Sequence, residues 1–200
     1  KYSFSMPDGK VIITVSFRQI QEKHNICFAD VPSTAYYAEA VQWAVEKGIT
    51  EGTGANTFSP NLSCTRAQMV TFLWRAVGCP KPNNTGDVQF ADIDRNAYYY
   101  EAVLWAVEQG ITNGTGNGAF RPNATVTRGQ TAAFLYRAVG SPSVNTKPGF
   151  TDIHVNDYYA DAVAWAEENG ITSGVGEALY NPSGRCTRAQ IVSFLYRSQK

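Results

Sequence analysis

Charge is scarce in this 200-residue chain, and it cancels: 17 Lys and Arg stand against 17 Asp and Glu, together 17% of the residues. Globular proteins usually carry about 25%. Without net charge there is no bulk field to draw the molecule toward nucleic acid or an anionic membrane surface, so neither is expected as a partner. No run of ~18 apolar residues occurs, which excludes a membrane-spanning helix. Histidine is almost missing: His24 and His154 are the two present. There is no G-x-S-x-G, no H-E-x-x-H and no P-loop. Asp and Glu are scattered in the pattern of solvated helix faces. The chain is therefore read as a non-enzyme with no catalytic residues, no cofactor and no metal. The four cysteines, Cys27, Cys64, Cys79 and Cys186, include no C-x-x-C pair, which disfavours a zinc site. Their disulfide state stays open. No signal peptide is recognisable, and the chain begins in mid-pattern. It is expected to be an excised fragment whose export signal lies upstream.

Aromatic residues and repetition are what the chain does have. Aromatics make up 12%, with eleven Tyr and four Trp. A neutral, ring-rich surface suits sugars and other uncharged polymers, although core packing uses the same rings. Three blocks open with Phe28-Ala29-Asp30, Phe90-Ala91-Asp92 and Phe150-Thr151-Asp152. Each continues with a tyrosine pair, an apolar helix face, Gly-Ile, a glycine loop, an aromatic-x-Pro step and Thr-Arg-Ala/Gly-Gln. Thr127 follows Thr65 by 62 residues and Thr187 follows Thr127 by 60. So regular a period means one supersecondary unit used three times. It also speaks against an active site, which is normally a single asymmetric cluster.

Each block reads as helix, loop, helix. Tyr37, Ala40, Val41, Ala44 and Val45 form a helical apolar stripe. Gly48-Ile49, Gly110-Ile111 and Gly170-Ile171 have the form of a Schellman stop. Thr65-x-x-Gln68, Thr127-x-x-Gln130 and Thr187-x-x-Gln190 are capping boxes that open the second helix. Cys64 and Cys186 hold equivalent places in blocks one and three, where block two has Val126, so they read as small buried apolar side chains. Residues 1–19 differ: Val11, Ile13, Val15 and Phe17 alternate with Ile12, Thr14 and Ser16 after the turn Pro7-Asp8-Gly9, a β-hairpin pattern. The expected organisation is a hairpin at 1–19 ending a preceding β domain and a linker at 20–27. Repeats follow at 28–79, 90–141 and 150–198. The fold class is mainly α.

Arg66, Arg128 and Arg188 are the sharpest candidates for chemistry. Each sits at the first helical position, where a cation opposes the helix dipole at a cost of about 0.3–1 kcal/mol. Two readings stand. One is an anion receptor in which the guanidinium fork grips a carboxylate or phosphate with help from helix N–H groups. The other is a salt bridge to Asp30, Asp92 or Asp152, which otherwise cap local turns. Trp43, Trp105 and Trp165 read as core. Tyr36, Tyr98 and Tyr158 lie off the apolar stripe and can wall a groove for a sugar ring.

The order Phe-x-Asp, aromatic-Tyr, Ala-Val-x-x-Ala, Gly-Ile, glycine loop, Phe-x-Pro, Thr-Arg-Ala resembles the S-layer homology (SLH) domain, in three tandem copies covering most of the chain. The resemblance implies a pseudo-three-fold helical trimer within one chain, monomeric as this fragment, with grooves between repeats. It implies an extracellular module, associated with the cell wall or S-layer of Gram-positive bacteria. Its ligand would be secondary cell-wall polysaccharide, often carrying pyruvylated N-acetylmannosamine. The family's motif Arg meets the acidic ketal, a role that falls here on Arg66, Arg128 and Arg188. The alternatives are peptidoglycan or an unpyruvylated polymer as target, or a protein–protein module with the Arg residues in salt bridges.

The chain departs from the family pattern in several places. Gln68, Gln130 and Gln190 replace the family's Glu. Gly129 replaces Ala, which is expected to loosen that helix start by up to about 1 kcal/mol. Tyr36, Tyr98 and Tyr158 stand where Trp is usual. After Gly-Ile-Thr come Glu51, Asn113 and Ser173, a position the resemblance puts at the groove. Asn113 and Ser173 join the binding residues, while Glu51 would repel an anionic sugar and leave its groove the weakest of three.

Overall fold

The computed structural model describes residues 28–83 and 90–199. The expected hairpin at 1–19, the linker at 20–27 and Cys27 lie outside the described residues. Six helices appear among the described residues: α1 (Ala38–Glu46), α2 (Arg66–Ala76), α3 (Tyr100–Glu108), α4 (Arg128–Ala138), α5 (Ala160–Glu168) and α6 (Arg188–Ser198). Among these residues β structure is limited to isolated bridges. The tyrosine pairs form the turn just before the first helices, so Tyr37, at the head of the apolar stripe, precedes α1 as its N-cap residue.

Local sequence sets both ends of these helices. Thr65, Thr127 and Thr187 cap α2, α4 and α6 with complete capping boxes, the Gln side chain returning to the Thr N–H. At the end of α1, Gly48 adopts φ 68° and the Ile49 N–H donates to the Ala44 carbonyl at 2.8 Å. Ile111 to Ala106 and Ile171 to Ala166 repeat this bond at 2.8 Å. The isoleucines are fully buried, so the stop signal also supplies core.

Asp30, Asp92 and Asp152 do not cap local turns, contrary to expectation. The Asp30 carboxylate accepts from the Phe58 and Ser59 N–H groups at 2.8 and 2.7 Å. Asp92 holds Phe120 and Arg121, and Asp152 holds Tyr180 and Asn181, at the same distances. Each block's first carboxylate thus clamps the aromatic-x-Pro step some thirty residues later. The ring two positions before it presses on the glycine loop. A Cβ on Gly52, whose φ is 94°, would meet the Phe28 ring at 2.7 Å, so both backbone conformation and space require glycine.

The two helices of one repeat are not each other's main partners. α1 packs on α6, α3 on α2 and α5 on α4, while α2, α4 and α6 touch one another. Among the described residues, contacts therefore run in a cycle that joins α1 to α6. Main-chain bonds run the same way: Cys64 N–H to the Cys186 carbonyl, Cys186 N–H to Val126, Val126 N–H to Cys64, at 2.9, 3.1 and 3.0 Å. Cys64, Val126 and Cys186 are fully buried, as their alternation suggested. Burial pushes the Cys64 thiol up to about 12, so it is unreactive at neutral pH. Cys79 is exposed, and all three described cysteines are free thiols.

Gly129 stands where a side chain would collide. A Cβ there would meet the Tyr159 ring at 2.8 Å, so the missing methyl seats the first tyrosine–helix contact of the next repeat.

Candidate functional site: clefts floored by arginine

Arg66, Arg128 and Arg188 are almost wholly buried, at 3%, 4% and 3% exposure. The Nε atom of Arg66 donates to the Phe120 carbonyl at 2.8 Å. Arg128 makes the same bond to Tyr180 at 2.7 Å and Arg188 to Phe58 at 2.9 Å. Each guanidinium lies between two rings: Arg66 between Phe120 and Phe134 at 4.9 and 5.3 Å, Arg128 between Tyr180 and Phe194 at 4.6 and 5.6 Å, Arg188 between Phe58 and Phe72 at 4.8 and 5.4 Å. Such sandwiches hold a desolvated cation by its planar faces and leave its edge to bond.

The salt-bridge reading fails among the described residues. The three aspartates spend their oxygens on backbone N–H groups, as described above, and none of the three arginines makes an ion pair. The expected help from helix N–H groups fails as well. The Arg66 and Ala67 N–H groups donate to the Ala124 and Pro122 carbonyls of the next repeat at 2.9 and 3.0 Å, and Gln68 N–H to the Thr65 hydroxyl at 3.2 Å. Arg128, Gly129, Arg188 and Ala189 are sealed alike. The helix starts are inter-repeat joints, not anion cradles.

Burial does not close the arginines off. Arg66 floors a cleft of about 390 Å³ lined also by Thr112, Asn113, Gln130, Arg137 and Tyr158. Arg188 floors one of about 400 Å³ with Thr50, Glu51, Gln68, Arg75 and Tyr98. Around Arg128 the matching groups recur: its Nη2 reaches the Thr172 hydroxyl at 3.5 Å, Ser173 follows in sequence, and Arg197 and Arg128 both act on the Tyr36 phenol. The tyrosines Tyr36, Tyr98 and Tyr158 are 65%, 60% and 63% exposed, each edge-on to the next tyrosine at 5.0, 5.1 and 4.8 Å. Desolvation raises the pKa of all three phenols, so they stay neutral donors. The Arg66 and Arg188 clefts thus each combine an arginine from one repeat, a loop and helix from the next and a tyrosine from the third, and the corresponding residues surround Arg128.

A second arginine in each cleft was not singled out from sequence. Arg75, Arg137 and Arg197 donate through Nη1 to the carbonyls of Ile49, Ile111 and Ile171 at 3.2, 3.0 and 2.9 Å. This ties the second helix of a repeat to the stop of its first. The signal was available: each follows its motif arginine by nine residues, three times over. The Gly-Ile-Thr threonines were also passed over. Thr50 and Thr172 accept from Arg188 and Arg128 through their hydroxyls. Trp105 and Trp165 are core as expected, and Trp43 is half-buried against Tyr196 at 5.5 Å.

The arginines themselves differ in one atom. Arg66 Nη2 is buried and has no hydrogen-bond partner. Burial lowers the pKa of Arg66, opposed by Tyr158 and Asp92, and lowers that of Arg188, opposed by Cys64, Tyr98 and Asp30. An unpaired buried donor on a cation is costly, on the order of 1–3 kcal/mol or more.

Comparison with known proteins gives one consistent picture. The S-layer homology domain profile matches residues 28–70, 89–132 and 149–192. The surface-layer 125 kDa protein of Lysinibacillus sphaericus is 30% identical over 159 residues, covering 78% of this chain and 13% of that protein. The S-layer protein sap of Bacillus anthracis is 28% identical over 177 residues, 86% of this chain and 21% of its own. An endoglucanase of Bacillus sp. (strain KSM-635) is 38% identical over 170 residues, 82% of this chain and 18% of its own. The chain spans between 13% and 21% of the length of these relatives.

Proposed function

Because this chain belongs to the S-layer homology domain family, we propose that it is a non-catalytic anchoring module that holds a larger protein outside the cell, at the cell wall or S-layer. Its ligand is an acidic secondary cell-wall polysaccharide, with a pyruvate ketal carboxylate as the group read by the clefts. The observation that carries this reading is the Arg66 guanidinium: desolvated, stacked, bonded on one edge and unpartnered on Nη2 at the floor of an open cleft. A carboxylate is the partner that fits a guanidinium fork, with each charge-assisted bond worth about 1.5–3 kcal/mol. Arg137 supplies a second cation in the same cleft, and Tyr158 offers a neutral ring edge and hydroxyl to a sugar.

The cycle of helix contacts supports a pseudo-three-fold arrangement of the repeats about a central joint at Cys64, Val126 and Cys186. Every cleft then needs all three repeats, and one chain suffices to build it, so the module acts as a monomer. The relatives support the non-catalytic reading. A surface-layer protein and an endoglucanase share this same stretch, as a minor part of each. What they share is not the endoglucanase's reaction. Weak clefts on one polymer reinforce each other through effective concentration.

The test is cosedimentation with purified cell walls before and after chemical removal of the secondary polymer. Binding is expected to vanish on stripping. Binding that survives stripping moves the target to peptidoglycan. A protein–protein module remains the second reading, favoured by the arginine-to-carbonyl bonds that join neighbouring repeats. Arg137→Gln separates the two: a folded chain that binds walls undiminished supports that second reading.

A further inference from the structure

We propose that the three arginine sites form a graded series for acidic saccharide, with the Arg66 cleft as principal site, the Arg128 site second and the Arg188 cleft last. This inference rests on the ligand reading above. Two observations order the clefts. In the Arg188 and Arg128 clefts the Nη2 atom already has a hydroxyl partner, Thr50 at 3.3 Å and Thr172 at 3.5 Å, whereas Arg66 Nη2 has none. An incoming carboxylate therefore gains a new bond at Arg66 and must compete with one at the other two.

The rim charge differs next. The position after Gly-Ile-Thr is Asn113 in the Arg66 cleft and Glu51 in the Arg188 cleft. Ser173 holds the equivalent place beside Thr172. All three are exposed. Glu51 sets a carboxylate against the ligand's own, while Asn113 can donate to it.

The aromatic-x-Pro step differs last. Its middle residue is Ser59, Arg121 or Asn181, each backbone-clamped by its aspartate with positive φ. Arg121 is exposed and does not line the Arg66 cleft, and the Asp92 charge acts on Arg66 more strongly than it does, so this step does not order the clefts. The residues at Glu51/Asn113/Ser173 are therefore specificity determinants: they set the charge a cleft accepts.

The test is a titration of the whole chain with the methyl glycoside of pyruvylated N-acetylmannosamine, followed by amide NMR. Gly52, Gly114 and Gly174 report on the clefts, since each N–H donates to the cleft threonine at 3.1, 3.1 and 3.2 Å. Gly114 is expected to saturate first, at about a tenfold lower concentration than Gly52, as one opposed charge at close range predicts. Asn113→Glu should weaken the Gly114 response about tenfold and leave Gly52 unchanged. Glu51→Asn should strengthen the Gly52 response by a similar factor. Coincident midpoints, Gly52 saturating first, or exchanges that leave their own cleft unmoved overturn the ranking while the anchoring function stands. A wild-type chain in which no amide responds overturns both.

Discussion

The floor and the rim of each cleft obey different rules. The floor repeats three times as an arginine between two rings, its Nε on a main-chain carbonyl of the neighbouring repeat, and varies only at Nη2, which lacks a partner in Arg66. The rim differs three times, as Glu51, Asn113 and Ser173, all exposed. The floor cannot vary independently because each part of it is also core and inter-repeat joint. The rim touches solvent and can change charge without disturbing the fold. Recognition strength and structural integrity are thus coupled at the floor and uncoupled at the rim.

Removing a floor ring should break this contrast most severely. Phe134→Ala deletes a buried ring under Arg66 and is expected to cost about 3–5 kcal/mol, read as a drop in denaturant midpoint. Phe72→Ala and Phe194→Ala should cost similar amounts if the floors are alike. Arg66→Ala comes next. It strands the Phe120 carbonyl and empties the sandwich, and should cost about 2–3 kcal/mol, visible as a lower melting temperature alongside lost wall binding. A fully stable Arg66→Ala chain would show that the floor arginine is not a joint.

A smaller effect is expected from Asp92 in acid. Burial pulls its carboxyl pKa up, but the N–H groups of Phe120 and Arg121, with the Arg121 charge, outweigh this and hold it below the usual 3.8. A depressed folded pKa means the carboxylate contributes stability above the unfolded value and loses it as pH falls through the folded one. Stability measured from pH 6 down to 2 should therefore fall more steeply in the wild type than in Asp92→Asn, whose curve starts lower. Parallel curves would sink the assignment. Least of all, Glu51→Gln at the rim should change stability by no more than about 0.5 kcal/mol, while changing what the Arg188 cleft binds.

Much of this was readable along the chain. The repeat boundaries, the capping boxes and the Gly-Ile stops follow from contacts between residues three to six apart, which neighbours in sequence dictate. The motif arginines were visible because a cation at a helix start is out of place. Their partners were not. Arg188 bonds to Phe58, 130 positions away, and Arg66 to Phe120, 54 away. The aspartates looked like local caps because residue type says what a side chain can accept, not which N–H groups arrive. Arg75, Arg137 and Arg197 looked like ordinary basic residues near a helix end, which they also are.

The order of residues alone determined that one helix–loop–helix unit would be made three times, with each helix started and stopped where it is, since those choices are settled within a turn or two of backbone. Only the folded chain decided that α1 would leave its own repeat to pack on α6, and that the arginines would meet rings and a carbonyl instead of a carboxylate. Those outcomes depend on which buried surfaces find one another across the whole chain, and no local interaction contains that information.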